Sequence, residues 1–220
     1  MAKNNIDIIK LPKTENMEYS VDIETPKAKR KFIERCKRTI RKSKEYKDYI
    51  RFLKDNLDMD RCAFFNHVNK TKESKISIEI HHEPFVLEDI VHIVMEKHLH
   101  EGIKLNEFDI ADDVMKLHYE NKVGLIPLSK TLHELYHNNT GENTFFIPIY
   151  MCYGNYVEFI KDYWDYMDDS LKSKIEKKIE MSKSIKPEDY EKLLETKFQY
   201  IEVDGVDLPR KIETEAEMIA

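Results

Sequence analysis

Apolar residues recur at helical spacing from Pro26 onward: Ile33, Cys36 and Ile40, then Tyr46, Tyr49, Ile50, Leu53 and Leu57. The spacing predicts an amphipathic helix over 27–57, with Pro26 in its first turn and a break near Ser43. The period then changes. Ile76, Ile78 and Ile80 alternate with Ser77, Glu79 and His81, the period of two of a strand. The segment CAFFNHVN (62–69) reads as its partner across the polar turn KTKES, giving a β-hairpin that Pro84 ends. Helical spacing returns over 86–100, stopped at Gly102, and over 106–120, with Asn106 as N-cap. The short apolar run VGLIPLS (123–129) leads into KTLHELYHN, a helix capped by Ser129 or Thr131. FFIPIYMCYGNY (145–156) reads as extended and partly buried.

The chain thus divides into an extended arm (1–25), a helix (26–58), a mixed core (59–156) with a helical insertion at about 86–121, C-terminal helices (157–203) and a polar tail (204–220). The last of the C-terminal helices is expected over 187–199, and the tail is expected to be loose. The aromatic series Tyr156, Phe159, Tyr163, Trp164 and Tyr166 carries interleaved acids, so core packing is expected there rather than base stacking.

Composition adds one asymmetry. The 220 residues have a net charge of −6 and 35% charged residues, as expected of a soluble domain with elaborations. Residues 27–51 alone hold 12 Lys/Arg against 3 Asp/Glu, a local +9 that leaves −15 for the remainder. A basic element on an acidic body can hold a polyanion. Lys29, Arg30, Lys31, Arg35, Lys37, Arg38, Arg41 and Lys42 are the candidate nucleic-acid contacts. Five glycines and no GxGxxG or Walker A motif remove the usual nucleotide-binding readings. Cys36, Cys62 and Cys152 are far apart and form no CxxC, which argues against a disulfide framework and against a cysteine zinc knuckle. No apolar leader or membrane-length run is visible, so a reducing cytoplasmic setting without membrane association is expected.

Nine histidines supply the candidate chemistry. His133 and His137 stand four apart, so one helix face presents both imidazoles to a shared metal ion. The strand end at His81 and His82 supplies a third ligand. Neighbouring strand residues face opposite sides, so one of the two binds metal and the other is left for nearby chemistry. His92, His98, His100 and His118 require no function.

The stretches IEIHHEPF (78–85) and LSKTLHELYH (128–137), in that order, resemble the HNH, or ββα-metal, endonuclease superfamily. Ser129 and Leu132 stand where many members carry knuckle cysteines, so the resemblance is to the cysteine-free subgroup. It implies an α+β fold: a small ββα-metal core, hairpin plus helix, with a helical insertion, embedded in mostly helical N- and C-terminal elaborations. It implies His81, His133 and His137 as metal ligands and His82 as general base. The implied activity is metal-dependent hydrolysis of phosphodiester bonds, in DNA ahead of RNA because the family is mostly DNA-directed. The implied cofactor is one divalent ion, Zn, Mg, Mn or Ni, three imidazoles favouring the transition metals over Mg. Arg61 and Lys130 are candidate helpers. The family asparagine that orients the base falls at Gly124, with Asn121 or Asn66 as substitutes, and residues 83–132 separate the two motifs. The other reading is a non-catalytic, metal-stabilised or degenerate HNH-like protein that docks nucleic acid or a partner protein; an oligomer is compatible with either.

Overall fold

Thr25 opens helix α1 (Pro26–Lys42) by accepting the Ala28 amide on its hydroxyl. Ser43 then does two jobs. Its amide bonds the Thr39 and Ile40 carbonyls to end α1, and its Oγ accepts the Tyr46 amide to begin α2 (Lys44–Asn56). This is the break expected near Ser43. In this computed structural model the described residues are 23–65, 76–138 and 145–185, together with the backbone of 198–203 and 206–211.

Phe32, Ile33, Cys36 and Ile40 form the buried stripe of α1, which lies against α3 (Leu87–His100) and α4 (Glu107–Tyr119). Each helix buries a broad face, with Ile90, Val91, Ile93, Val94 and Met95 on α3 and Ile110, Val114 and Leu117 on α4. Each such side chain contributes about 1.5–3 kcal/mol by leaving water. His98 links the pair by bonding Asp113 at 2.8 Å. These are the two helices expected in the insertion, within a residue at each end. Phe159 of α6 (Tyr156–Tyr163) joins the same core and stacks on Tyr163, as expected of the aromatic series.

The strand predicted near 80 is β1 (Ile78–His82), but its partner differs from the expectation. It pairs antiparallel with β2 (Leu125–Ser129), from Ile78 opposite Ser129 to His82 opposite Leu125. Residues 62–65 are not a strand; Cys62 and Phe65 are buried in a second small core with Ile78, Ile126, Leu128 and Leu132. The rest of the predicted first strand, 66–69, lies outside the described residues. The sequence hid β2 because four of its five residues are buried, which erases the alternation. Pro127 is tolerated because its backbone faces away from β1: its carbonyl accepts the Ala63 amide at 2.8 Å.

Ser129 caps α5 (Lys130–His137), one of the two caps expected. A short 3₁₀ turn at Ile149–Met151 precedes α6, and another at Trp164–Tyr166 precedes α7 (Asp169–Ser184). Two further expectations are corrected. Phe198–Val203 is a strand, β3, rather than helix, and Val206–Lys211 is its antiparallel partner β4 within the supposedly loose tail. Residues 187–197 of the predicted last helix lie outside the described residues. The protein is α+β and mostly helical. No helix among the described residues is long and apolar enough to cross a membrane.

Candidate metal centre

β1 and α5 bring His81, His133 and His137 together. One ring nitrogen from each lies within 4.8 Å of the others. The ring centroids of His81 are 5.0 Å from His133 and 5.1 Å from His137, and those of His133 and His137 are 4.6 Å apart. The two α5 histidines stand one turn apart, with their Nε2 atoms separated by 3.1 Å.

The donor set fits a transition-metal ion. His133 Nδ1 lies 2.5 Å from Glu79 Oε2, which fixes its proton there and leaves Nε2 as the lone pair facing His137. His81 Nε2 is buried, and its nearest partner is the Glu83 carboxylate at 3.5 Å. Burial holds the His81 and His137 rings below the usual imidazole range, so both are neutral donors at pH 7. Neighbouring positive charges, including Arg41, press His137 further down. No fourth His, Cys, Asp or Glu among the described residues joins the group. Three imidazoles meet here, whereas structural zinc sites are usually closed by four protein ligands.

Behind the triad, Glu83 is fully buried. It accepts the Tyr136 hydroxyl at 2.7 Å and the Lys178 ammonium, and its Oε2 is 3.5 Å from His81 Nε2. Burial alone raises a carboxyl, but His81 and Lys178 outweigh it and hold Glu83 below its usual range.

His82 points the other way along β1, towards α2 and α4. It is 7% exposed, its ring is stacked near Tyr46 at 6.4 Å, and its Nε2 lies 2.9 Å from His118 Nε2. The structure therefore groups three of the four predicted histidines and turns the fourth to the opposite face of β1, where Tyr46 and His118 enclose it. Protonation of the pair can be assigned. His118 Nδ1 is 2.7 Å from the Val114 carbonyl, so that nitrogen carries the proton. Burial lowers His118 to about 4, leaving it neutral, so its Nε2 accepts and His82 Nε2 donates. The bare nitrogen of His82 is then Nδ1. Burial keeps His82 well below the usual imidazole value.

His118 is thus the site residue that sequence reasoning missed. Its position gave no signal, because it approaches from a helix 36 residues along the chain. Gly124 also finds its reason. A Cβ there would lie 1.8 Å from the Glu83 carbonyl oxygen, while the Gly124 carbonyl accepts the Glu83 amide at 3.0 Å. No asparagine fits at 124. Asn121 instead accepts the Tyr153 hydroxyl at 3.1 Å, and Asn66 lies outside the described residues.

The basic helix is sorted by the fold. Lys29 pairs with Glu96, Arg35 with Glu107 at 3.0 Å, and Lys37 with Glu34 and Glu88 at 2.7 Å. Arg30, Lys31, Arg38, Arg41 and Lys42 are exposed and form no ion pair among the described residues. At 100° per residue these five fall on one face, opposite Phe32, Cys36 and Ile40. Of the other helpers, Lys130 sits 3.6 Å from Glu134, and Arg61 is 3.9 Å from Asp60.

A family model described as Bacteriophage G278-like virion protein matches residues 2–207. The chain belongs to this family. The match runs through α1, both strands of the site and all three grouped histidines, so the centre lies inside the family's own unit. No curated protein and no solved structure matches the chain.

Proposed function

We propose that this virion-family protein is a metal-dependent endonuclease, hydrolysing phosphodiester bonds, with DNA ahead of RNA as substrate. The observation that carries the reading is the convergence of His81, His133 and His137 within 4.8 Å, from a strand end and a following helix, with no fourth protein ligand among the described residues. Antiparallel β1 and β2 followed directly by α5 support a ββα-metal core with α3 and α4 inserted between its strands. The two solvent-facing histidines of α5 and buried His81 would hold one divalent ion, Zn, Mn, Ni or Mg. When bound, such an ion supplies Lewis-acid stabilisation for charge that grows on a phosphodiester.

The chain's own residues do the rest. His118 holds the His82 ring by accepting its Nε2–H, which leaves Nδ1 to take a proton from water. His118 thereby supplies the orientation that HNH enzymes draw from asparagine. Glu79 holds the His133 ring by its Nδ1–H. Arg30, Lys31, Arg38, Arg41 and Lys42 grip phosphates without reading bases.

A second reading, a metal-stabilised virion component without catalysis that docks nucleic acid or another protein, is favoured by the burial of His82 at 7% exposure. One experiment separates them. Purified protein is analysed for metal and then incubated with supercoiled plasmid and Mg, Mn, Ni or Zn. Nicking by wild type that disappears in His82→Ala, with metal retained, is the expected result. Bound metal without cleavage under any ion selects the second reading, and equal cleavage by both proteins removes His82 from the mechanism.

A further inference from the structure

α5 is poorly anchored for an element that carries two ligands. It has eight residues, and only Leu132 among them is buried. What holds its far end is a side chain from α7. The Lys178 ammonium is largely enclosed, its side chain 13% exposed. It has three N–H donors, and three acceptors take them: the Glu83 carboxylate, the Pro84 carbonyl at 3.1 Å and the Tyr136 hydroxyl at 3.0 Å. Tyr136 donates its own hydroxyl proton to the other Glu83 oxygen at 2.7 Å, which closes a ring of three side chains.

The places of those acceptors in the chain give the ring its meaning. Glu83 lies two residues beyond His81, and its Oε2 is 3.5 Å from His81 Nε2. Tyr136 lies between His133 and His137, and its ring is 4.7 Å from that of His81. One ammonium from a helix more than forty residues downstream thus fastens both ligand-bearing segments to a single point.

We propose that Lys178 is a positioning residue for the His81–His133–His137 centre, so that the C-terminal helix sets how tightly and in what geometry the centre takes a metal ion. The inference rests on reading the triad as a metal site. Lys178 touches no ligand nitrogen; it acts through Glu83 and Tyr136, one beside each ligand element. Partners of this kind govern ligand orientation, and losing them typically weakens metal binding by roughly tenfold to a hundredfold.

Removing Lys178 alone strands a buried carboxylate, which is strongly destabilising. The primary variant therefore neutralises both partners, Lys178→Met with Glu83→Gln. Tyr136→Phe is the milder second variant, since it keeps the ring against His81 and removes only the hydroxyl. Lys174→Met, on the exposed side of α7 where Lys174 pairs with Asp89, is the control. Each protein is checked for folding by circular dichroism and titrated with Co(II), read by its visible absorption.

The expected result is one Co(II) per wild-type chain and an unchanged titration for Lys174→Met. The folded double variant should bind at least roughly tenfold more weakly with an altered spectrum, and Tyr136→Phe should shift in the same direction. A folded Tyr136→Phe or double variant with wild-type affinity and spectrum overturns the positioning role and leaves the metal site standing. A wild-type protein that takes up no Co(II) overturns both.

Discussion

His118 gives the sharpest test of the buried polar architecture, because it requires neither metal nor substrate. Its ring is fully buried, and burial holds it at about 4 against an ordinary 6.5. On acidification the unfolded chain takes up a proton that the folded protein refuses. The unfolded state then binds more protons, so the free energy of unfolding rises with pH between the two values and falls as pH drops. Full stability is present above the unfolded value and is lost progressively towards the folded one. From pH 7 to pH 5 the loss assigned to His118 is about 2 kcal/mol. His118→Gln is the matched perturbation: its amide N–H can serve the Val114 carbonyl and its carbonyl can accept from His82, and neither titrates. Urea unfolding of metal-free wild type and His118→Gln at both pH values gives the comparison. His81, His82 and His137, also held low, are present in both proteins, so the comparison reads residue 118 together with its bonded partner His82. Wild type should lose about 2 kcal/mol more than the variant. An identical loss in the two proteins would refute the assignment of a neutral, buried His118.

Three further outcomes are expected. Gly124→Ala drives a methyl to 1.8 Å from the Glu83 carbonyl oxygen, so the β1–β2 end must open; a loss above about 4 kcal/mol, or no folded protein by circular dichroism, should follow. Reversing Arg30, Arg38 and Arg41 to Glu should weaken binding to duplex DNA and flatten its salt dependence, by about 0.9 in log–log slope for each phosphate no longer neutralised, as measured by fluorescence anisotropy. Changing Lys29, Arg35 and Lys37 instead should act through their ion pairs with α3 and α4. Zinc at a hundredfold above its dissociation constant should stabilise wild type by about 2.7 kcal/mol and leave His133→Ala unmoved in a thermal melt.

Much of the frame was legible because helical periodicity and capping agree. Asn106 caps α4 and Ser129 caps α5 where expected, and Ser43 divides the basic helix. The three grouped histidines were legible because a strand end and an i, i+4 helix pair each carry a geometric rule. The strand pairing was not. A run as evenly buried as 125–129 has no period to betray it, and the choice between a near and a distant partner is made by packing. Nor could chain order reveal that Lys178 and His118 meet the site, since both arrive from helices whose spacing only identifies a buried face. The charge count on α1 likewise overstated the free cations, because three of the eight named residues are matched to acids on neighbouring helices.

The distance along the chain between β1 and β2 has a consequence for how the molecule is made. Residues 83–124 must leave and return before His82 can face Leu125, a closure costing about 3 kcal/mol of chain entropy that local helix formation does not incur. α3 and α4, neighbours in sequence and in space, are suited to form first and bring the two ends together. During synthesis Ile78–His82 therefore waits with an open edge until the ribosome has released more than forty further residues, and that interval is when stray strand pairing with other chains is most dangerous.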